Sequence, residues 1–473
     1  MKNYFASLLL YSSIVFCSFG QIEESQSIDD IFIEWNKPDT PGAALGIVKD
    51  GNLIYSNGYG IGDLEHNIKI TSSSVFYIGS VSKQFVTFSI LLLEEQGKLN
   101  LDDKIQKYLP DFPEYDSPLT IRHFIHHTSG VRDYLTLMYL RGRSYLDKTD
   151  KNEVYELIKK QKELNFSPGE KYLYSNSCYF MLAMIIEKAA GQSLKIFAHE
   201  NIFEPLGMKN SLFYDDNTDL IKNRVFSYKK RSNKEGFDNL IMRFDLVGSG
   251  GVYSNIEDLF LWDQNFYNNK LGKGGQKIIN KMHKEGLLNN GESSGYAFAL
   301  NNGVYRGLKT VSHAGSLAGY RAQLMRFPEE KTSIIILANR GDSSPTVKSL
   351  QIADIMLKNE FSEEPQNKEE NTEQSNKNKS KKLLLNQSIS NLQDYTGNFY
   401  SEELDFNYLV ILKDGQLKVK IADYKVQGLI KFGIDKFTID NGLIHFNREN
   451  KVIVGFELDA GRVSNLKFEK KYN

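Results

Sequence analysis

Hydrophobic positions follow two rhythms along this chain, and the change of rhythm divides it. Ala44-Leu45-Gly46-Ile47-Val48 and Leu53-Ile54-Tyr55 read as short strands joined by Lys49-Asp50-Gly51-Asn52. An Asp-Gly pair between β-rich runs is a strong hairpin signal. Helical patterns dominate the middle, with breakers at Gly97, Pro110, Pro113, Pro118 and Pro168-Gly169. A second hairpin follows late: Ala322 to Phe327, a Pro328-Glu329-Glu330-Lys331 turn, then Ser333 to Ala338. Strands near both ends with helices between them predict an α+β fold, with one antiparallel sheet flanked by helices and a helical lobe.

The rhythm is lost over residues 361–382, where Glu, Gln, Asn, Lys, Ser and Thr prevail. That composition cannot bury a core and reads as a flexible linker. Period-two alternation returns afterwards: Leu417, Val419 and Ile421 alternate with Lys418 and Lys420, with turns at Asp414-Gly415, Asn441-Gly442 and Ala460-Gly461. The expected organisation is a main domain over 21–360, the linker, and a small C-terminal all-β domain over 383–473, a β-sandwich or β-barrel.

Residues 1–20 read as a cleavable signal peptide. Lys2 is the positive start, Leu8 to Phe16 the apolar stretch, and Ser18-Phe19-Gly20 the small-x-small site before Gln21. This predicts a periplasmic or secreted protein. A lipid anchor at Cys17 is the alternative, disfavoured by the bulky Ile14-Val15-Phe16 before it. After cleavage at Gly20 only Cys178 remains, so no intramolecular disulfide is expected. Its helical spacing with Met181, Leu182 and Ile185 makes it a small buried hydrophobe. A formal net charge of −1 over 473 residues gives no argument for nucleic acid or an anionic membrane. No stretch after residue 20 reaches transmembrane length.

The chemistry centres on Ser80-Val81-Ser82-Lys83, at the start of an apolar helical run through Leu93. Positions i and i+3 share a helix face, so the amine lies beside the hydroxyl. A serine is a poor nucleophile until a base takes its proton, and an amine in a dry cleft can serve as that base. Tyr174 and Asn176 follow Pro168-Gly169 at a loop–helix junction. A phenol whose pKa is lowered by a nearby cation can accept and return the serine proton, while the amide can orient Lys83. His313-Ala314-Gly315-Ser316 supplies small residues beside a strand edge, where the N–H of Ser316 can pair with that of Ser80 as an oxyanion hole. No cluster at metal-ligand spacing is present and no cofactor is implied, because His126-His127 point apart with no carboxylate in register.

Ser-x-x-Lys, Tyr-x-Asn and His-x-Gly in this order resemble the serine β-lactamase and penicillin-binding protein superfamily. The likeness is greatest to its class C branch with the D-Ala-D-Ala carboxypeptidases, D-aminopeptidases and esterases. The linking stretches Phe76 to Ser80, His127-Thr128-Ser129-Gly130, Glu204 to Met208 and Gly248 to Ser254 match as well. The resemblance implies a β-lactamase-like fold and Ser80 as the acylated nucleophile. It implies that Lys83 and Tyr174 share the serine proton and that Asn176 positions Lys83 and the substrate. Ser80 and Ser316 N–H groups would hold the oxyanion. His313 stands where many β-lactamases place a lysine that draws in a carboxylate, which weakens the case for an efficient β-lactamase. The implied function is an exported serine hydrolase of small esters, amides or D-amino-acid peptides. The alternatives are a non-turnover penicillin- or peptidoglycan-binding sensor, or a weak class C-type β-lactamase.

Overall fold

The computed structural model describes residues 23–362, 391–421, 425–440 and 442–472. The expected signal peptide with Cys17, the linker from residue 363 onward and Asn441 lie outside the described residues.

Both hairpins form, and they meet. Strands Ala43–Lys49 and Asn52–Tyr59 turn through Asp50 and Gly51, whose φ angles of 48° and 80° are what the Asp-Gly pair tolerates. Strand Ala43–Lys49 also pairs antiparallel with Thr332–Ala338, with Ile47 opposite Ile334 and Leu45 opposite Ile336. Tyr320–Phe327, Leu308–Leu317 and Asn301–Tyr305 complete a six-stranded sheet whose centre joins the two ends of the main domain.

Successive strand residues face opposite sides, and here both sides are covered. Leu45, Ile47, Ile334 and Ile336 pack with Ile28 of helix Ser25–Ile31, with Phe32 at its C-terminal end, and with Ile352 and Ala353 from helix Pro345–Met356. Ala44, Ile335 and Leu337 point into the larger core shared with the helical lobe. That is why Ile334 to Ala338 is an unbroken apolar run. Helix Lys83–Glu95 is buried from Lys83 to Leu93, with Phe85 and Phe88 against Trp262. It packs against helix Asn176–Ala190, which stops at Gly191 in the left-handed conformation.

The C-terminal region is a nine-stranded antiparallel sheet. Lys425–Gly428 and Ile430–Gly433 form its two opposite edges yet are consecutive in sequence, joined through Leu429. Edges tied by one residue curl the sheet round on itself, so of the two expected forms the chain adopts the barrel. Phe399, Tyr408, Phe446, Phe456 and Phe468 fill its interior, the last two stacked at 4.5 Å. The barrel docks on the helical lobe: Arg132 and Glu403 form a buried ion pair at 2.6 Å, and the Tyr408 hydroxyl donates to the Leu140 carbonyl at 2.7 Å.

Candidate active site

A single 3₁₀ turn, Gly79–Ser82, carries Ser80 at the head of the buried helix. The strand bearing Gly315 runs flush against it. A Cβ on Gly315 would sit 1.9 Å from the Ile78 carbonyl oxygen and 3.1 Å from the Ser80 amide nitrogen, so only glycine permits this approach. The contact places Ser80, Gly315 and Ser316 on one wall of a cavity of about 430 Å³, with Tyr174, Asn176 and His313 on the others.

Lys83 is fully buried beneath the serine. Its Nζ lies 3.1 Å from Ser80 Oγ and 3.0 Å from Asn176 Oδ1, and it also bonds the backbone carbonyl of Ser249. Burial pushes its pKa well down; the Asp133 carboxylate opposes that shift and the Arg462 charge adds to it. A neutral amine has two N–H donors and one lone pair. Asn176 Oδ1 and the Ser249 carbonyl can only accept, so they take the two N–H groups and leave the lone pair for the Ser80 hydroxyl. The orientation of Asn176 is fixed independently: its Nδ2 and backbone N–H both donate to Asp133 Oδ2, at 2.9 and 2.7 Å.

Tyr174 lies over this group, its ring centroid 4.8 Å from Lys83 Nζ and 4.1 Å from the His127 ring. A lowered pKa is the condition for this phenol to accept the serine proton, and it is not met. Burial raises the pKa, and the Ser80 hydroxyl and Arg462 charge only partly offset that. Burial thus disfavours the charged form of both groups, which makes Lys83 the better proton acceptor of the two.

His313 is buried and neutral. Its Nδ1 donates to the Ala314 carbonyl at 2.7 Å, which leaves Nε2 to accept from the Tyr296 hydroxyl at 2.8 Å. Burial, reinforced by Lys83, lowers its pKa to about 4. With both nitrogens engaged, His313 forms a wall of the cavity and brings it no charge. His126 is likewise held down to about 4, chiefly by burial. An unfolded histidine gains a proton as pH falls through about 6.5, whereas these two resist it until about 4. Stability is thus expected to fall as pH drops from about 6.5 toward 4, by about 3 kcal/mol for each histidine. Urea midpoints measured at pH 7 and pH 4.5 check this, and equal midpoints would refute it.

Four residues of the site carry no recognisable signal of their own in the sequence. Asp133 caps helix Tyr134–Leu140 through Thr136 N–H and orients Asn176. Ser249 lies in the matching stretch Gly248 to Ser254, but its use of a backbone carbonyl on Lys83 depends on the fold. Tyr296 satisfies His313, and Arg462 arrives from the barrel with its guanidinium 4.7 Å from the Tyr174 ring.

This constellation has known relatives. Residues 28–356 match the family described as Beta-lactamase, most of the chain. The chain belongs to the β-lactamase family. It falls within the serine β-lactamase and penicillin-binding protein superfamily, and its centre carries the machinery of a serine hydrolase. A penicillin-binding protein of Bacillus subtilis strain 168 is 31% identical over 312 residues, covering 62% of this chain and 67% of that protein. A D-aminopeptidase of Cereibacter sphaeroides is 28% identical over 317 residues, covering 66% of this chain and 59% of its own length. This chain therefore spans about three-fifths of that D-aminopeptidase. The octameric penicillin-binding protein homologue from Pyrococcus abyssi aligns over 94% of this chain and 98% of its own, with a TM-score of 0.63 at 20% identity. That likeness is one of fold, and it extends through the C-terminal barrel of this β-lactamase-family chain. No helix among its described residues is long and apolar enough to cross a membrane.

Proposed function

We propose that this protein hydrolyses a small amide, peptide or ester through an acyl-enzyme on Ser80. The observation that carries the reading is the fully buried Lys83 amine 3.1 Å from Ser80 Oγ, held there by Asn176 Oδ1 and the Ser249 carbonyl. Lys83 takes the hydroxyl proton as Ser80 Oγ attacks the substrate carbonyl. The Ser80 and Ser316 N–H groups hold the resulting oxyanion. The proton then passes to the departing amine or alcohol by way of the Tyr174 hydroxyl, and the carbon–leaving-group bond breaks. Water, deprotonated by the same pair, attacks the acyl carbonyl and releases the acid while Ser80 regains its proton. The relatives named penicillin-binding protein and D-aminopeptidase support amides and peptides of D-amino acids as the first substrates to try. In this reading residues 1–20 direct export, residues 21–360 carry the chemistry and residues 383–473 are the appended C-terminal domain.

Intact-protein mass after fluorophosphonate treatment tests the reading. One phosphonyl group is expected on wild type and none on Ser80→Ala, followed by steady turnover of D-aminoacyl amides or esters by wild type alone. An adduct that persists in Ser80→Ala would overturn the assignment of the nucleophile. A stoichiometric burst with no turnover on any of these substrates would replace the hydrolase with a sensor.

A further inference from the structure

The cavity above Ser80 has one charged lining residue among the described residues, and the catalytic fold does not supply it. Tyrosines, small residues, Asn176 and the neutral His313 make up most of the wall, and Lys83 is sealed beneath it. The charged residue is Arg462, in the tight turn between barrel strands Val452–Ala460 and Val463–Lys471.

That turn is fixed in place by its backbone. The Arg462 carbonyl accepts from Asn165 Nδ2 at 3.0 Å, and Ser464 N–H donates to Asn165 Oδ1 at 2.8 Å. Arg132, itself buried, donates from Nε to the Ser464 carbonyl and from Nη2 to the Asn465 carbonyl, each at 3.1 Å. The side chain is left to face the cleft. Its guanidinium packs on the Tyr174 ring and forms a loose ion pair with Asp133, whose carboxylate oxygen stands 3.7 Å from Nη1, beyond hydrogen-bond reach. Asp133 Oδ2 is already occupied by the two donors of Asn176. The arginine side chain remains 42% exposed. A guanidinium whose planar donors are unspent is suited to a carboxylate, which it binds through two parallel bonds.

We propose that Arg462, delivered by the C-terminal barrel, is the specificity-determining residue that selects substrates presenting a carboxylate to the Ser80 cleft. The inference rests on the hydrolase reading for its word substrate, but the anion site itself does not. A positively charged amine of a free peptide N-terminus is repelled at the same place. The barrel thus supplies the charge that His313, with both nitrogens engaged, does not.

The test measures binding without turnover. Titration calorimetry on full-length Ser80→Ala compares N-acetyl-D-alanyl-D-alanine with its C-terminal carboxamide. The carboxylate is expected to bind at least tenfold more tightly. Ser80→Ala/Arg462→Gln is expected to lose that preference while keeping the affinity for the carboxamide, and Ser80→Ala/Arg462→Lys to keep part of it. Both substitutions spare the backbone bonds that hold the turn, and an unchanged urea midpoint confirms this. Equal affinities, no binding of the carboxylate, or a preference that survives Arg462→Gln would each overturn the proposal. The fluorophosphonate adduct on wild type reports separately on the hydrolase reading, so the two fail independently.

Discussion

Lys83→Met is expected to slow acylation of Ser80 by about 10²- to 10⁴-fold, the usual contribution of a positioned general base. Methionine roughly matches the lysine stem in volume, so the helix that buries residues 83–93 keeps its packing. The proton acceptor is what disappears. The wild-type rate should rise with pH as Lys83 loses its proton. That limb should lie well below the ordinary lysine value of 10.5, because burial penalises the ammonium. In Lys83→Met the limb should vanish. Stopped-flow acylation by a chromogenic ester across pH measures both quantities. An unaltered rate and limb would move the base elsewhere in the cleft. Tyr174 is the weaker candidate, since burial raises its pKa and keeps it protonated.

Glu403→Ala is expected to destabilise the folded chain by about 3–5 kcal/mol, because it strands a buried charge without its partner. The Arg132 side chain is fully buried and that of Glu403 only 6% exposed, with 2.6 Å between them. Arg132 also holds Gln161 and the carbonyls of Ser464 and Asn465, so its guanidinium organises the junction between helical lobe and barrel. Glu403 Oε1 in turn accepts from Lys162 N–H at 2.7 Å, a second bond that the substitution removes. The neighbouring Lys162–Glu402 pair is exposed on both sides, so Glu402→Ala is the control and should leave the urea midpoint unmoved. If both variants unfold at the wild-type midpoint, the Arg132–Glu403 pair does not hold the barrel in place. If Glu403→Ala unfolds earlier, Arg462 should lose its fixed position in parallel, and the carboxylate preference should weaken with it.

Local chemistry and pattern were enough to mark much of this protein. The i, i+3 spacing of Ser80 and Lys83 and the apolar run behind them define a serine beside a buried amine, because helix geometry is local. The Asp50-Gly51 turn and the alternation around Val419 are legible for the same reason: φ preferences and side-chain direction depend on near neighbours. The order of the short motifs then indicated the family, which the match over residues 28–356 shows. Tertiary structure decided what the sequence left open. Closure of the C-terminal strands into a barrel depends on which edges lie together. The protonation of Lys83, Tyr174 and His313 depends on burial, which no single position records. Whether a cation lowers the Tyr174 pKa could not be read from spacing, and in the fold desolvation outweighs the Arg462 charge. Asp133 and Arg462 enter the site from a helix cap and a distant barrel turn, and charge acts through space while sequence spacing does not measure it. The nucleophile and its lysine were therefore written in adjacent residues, whereas the charge of the cleft was set only when the barrel docked.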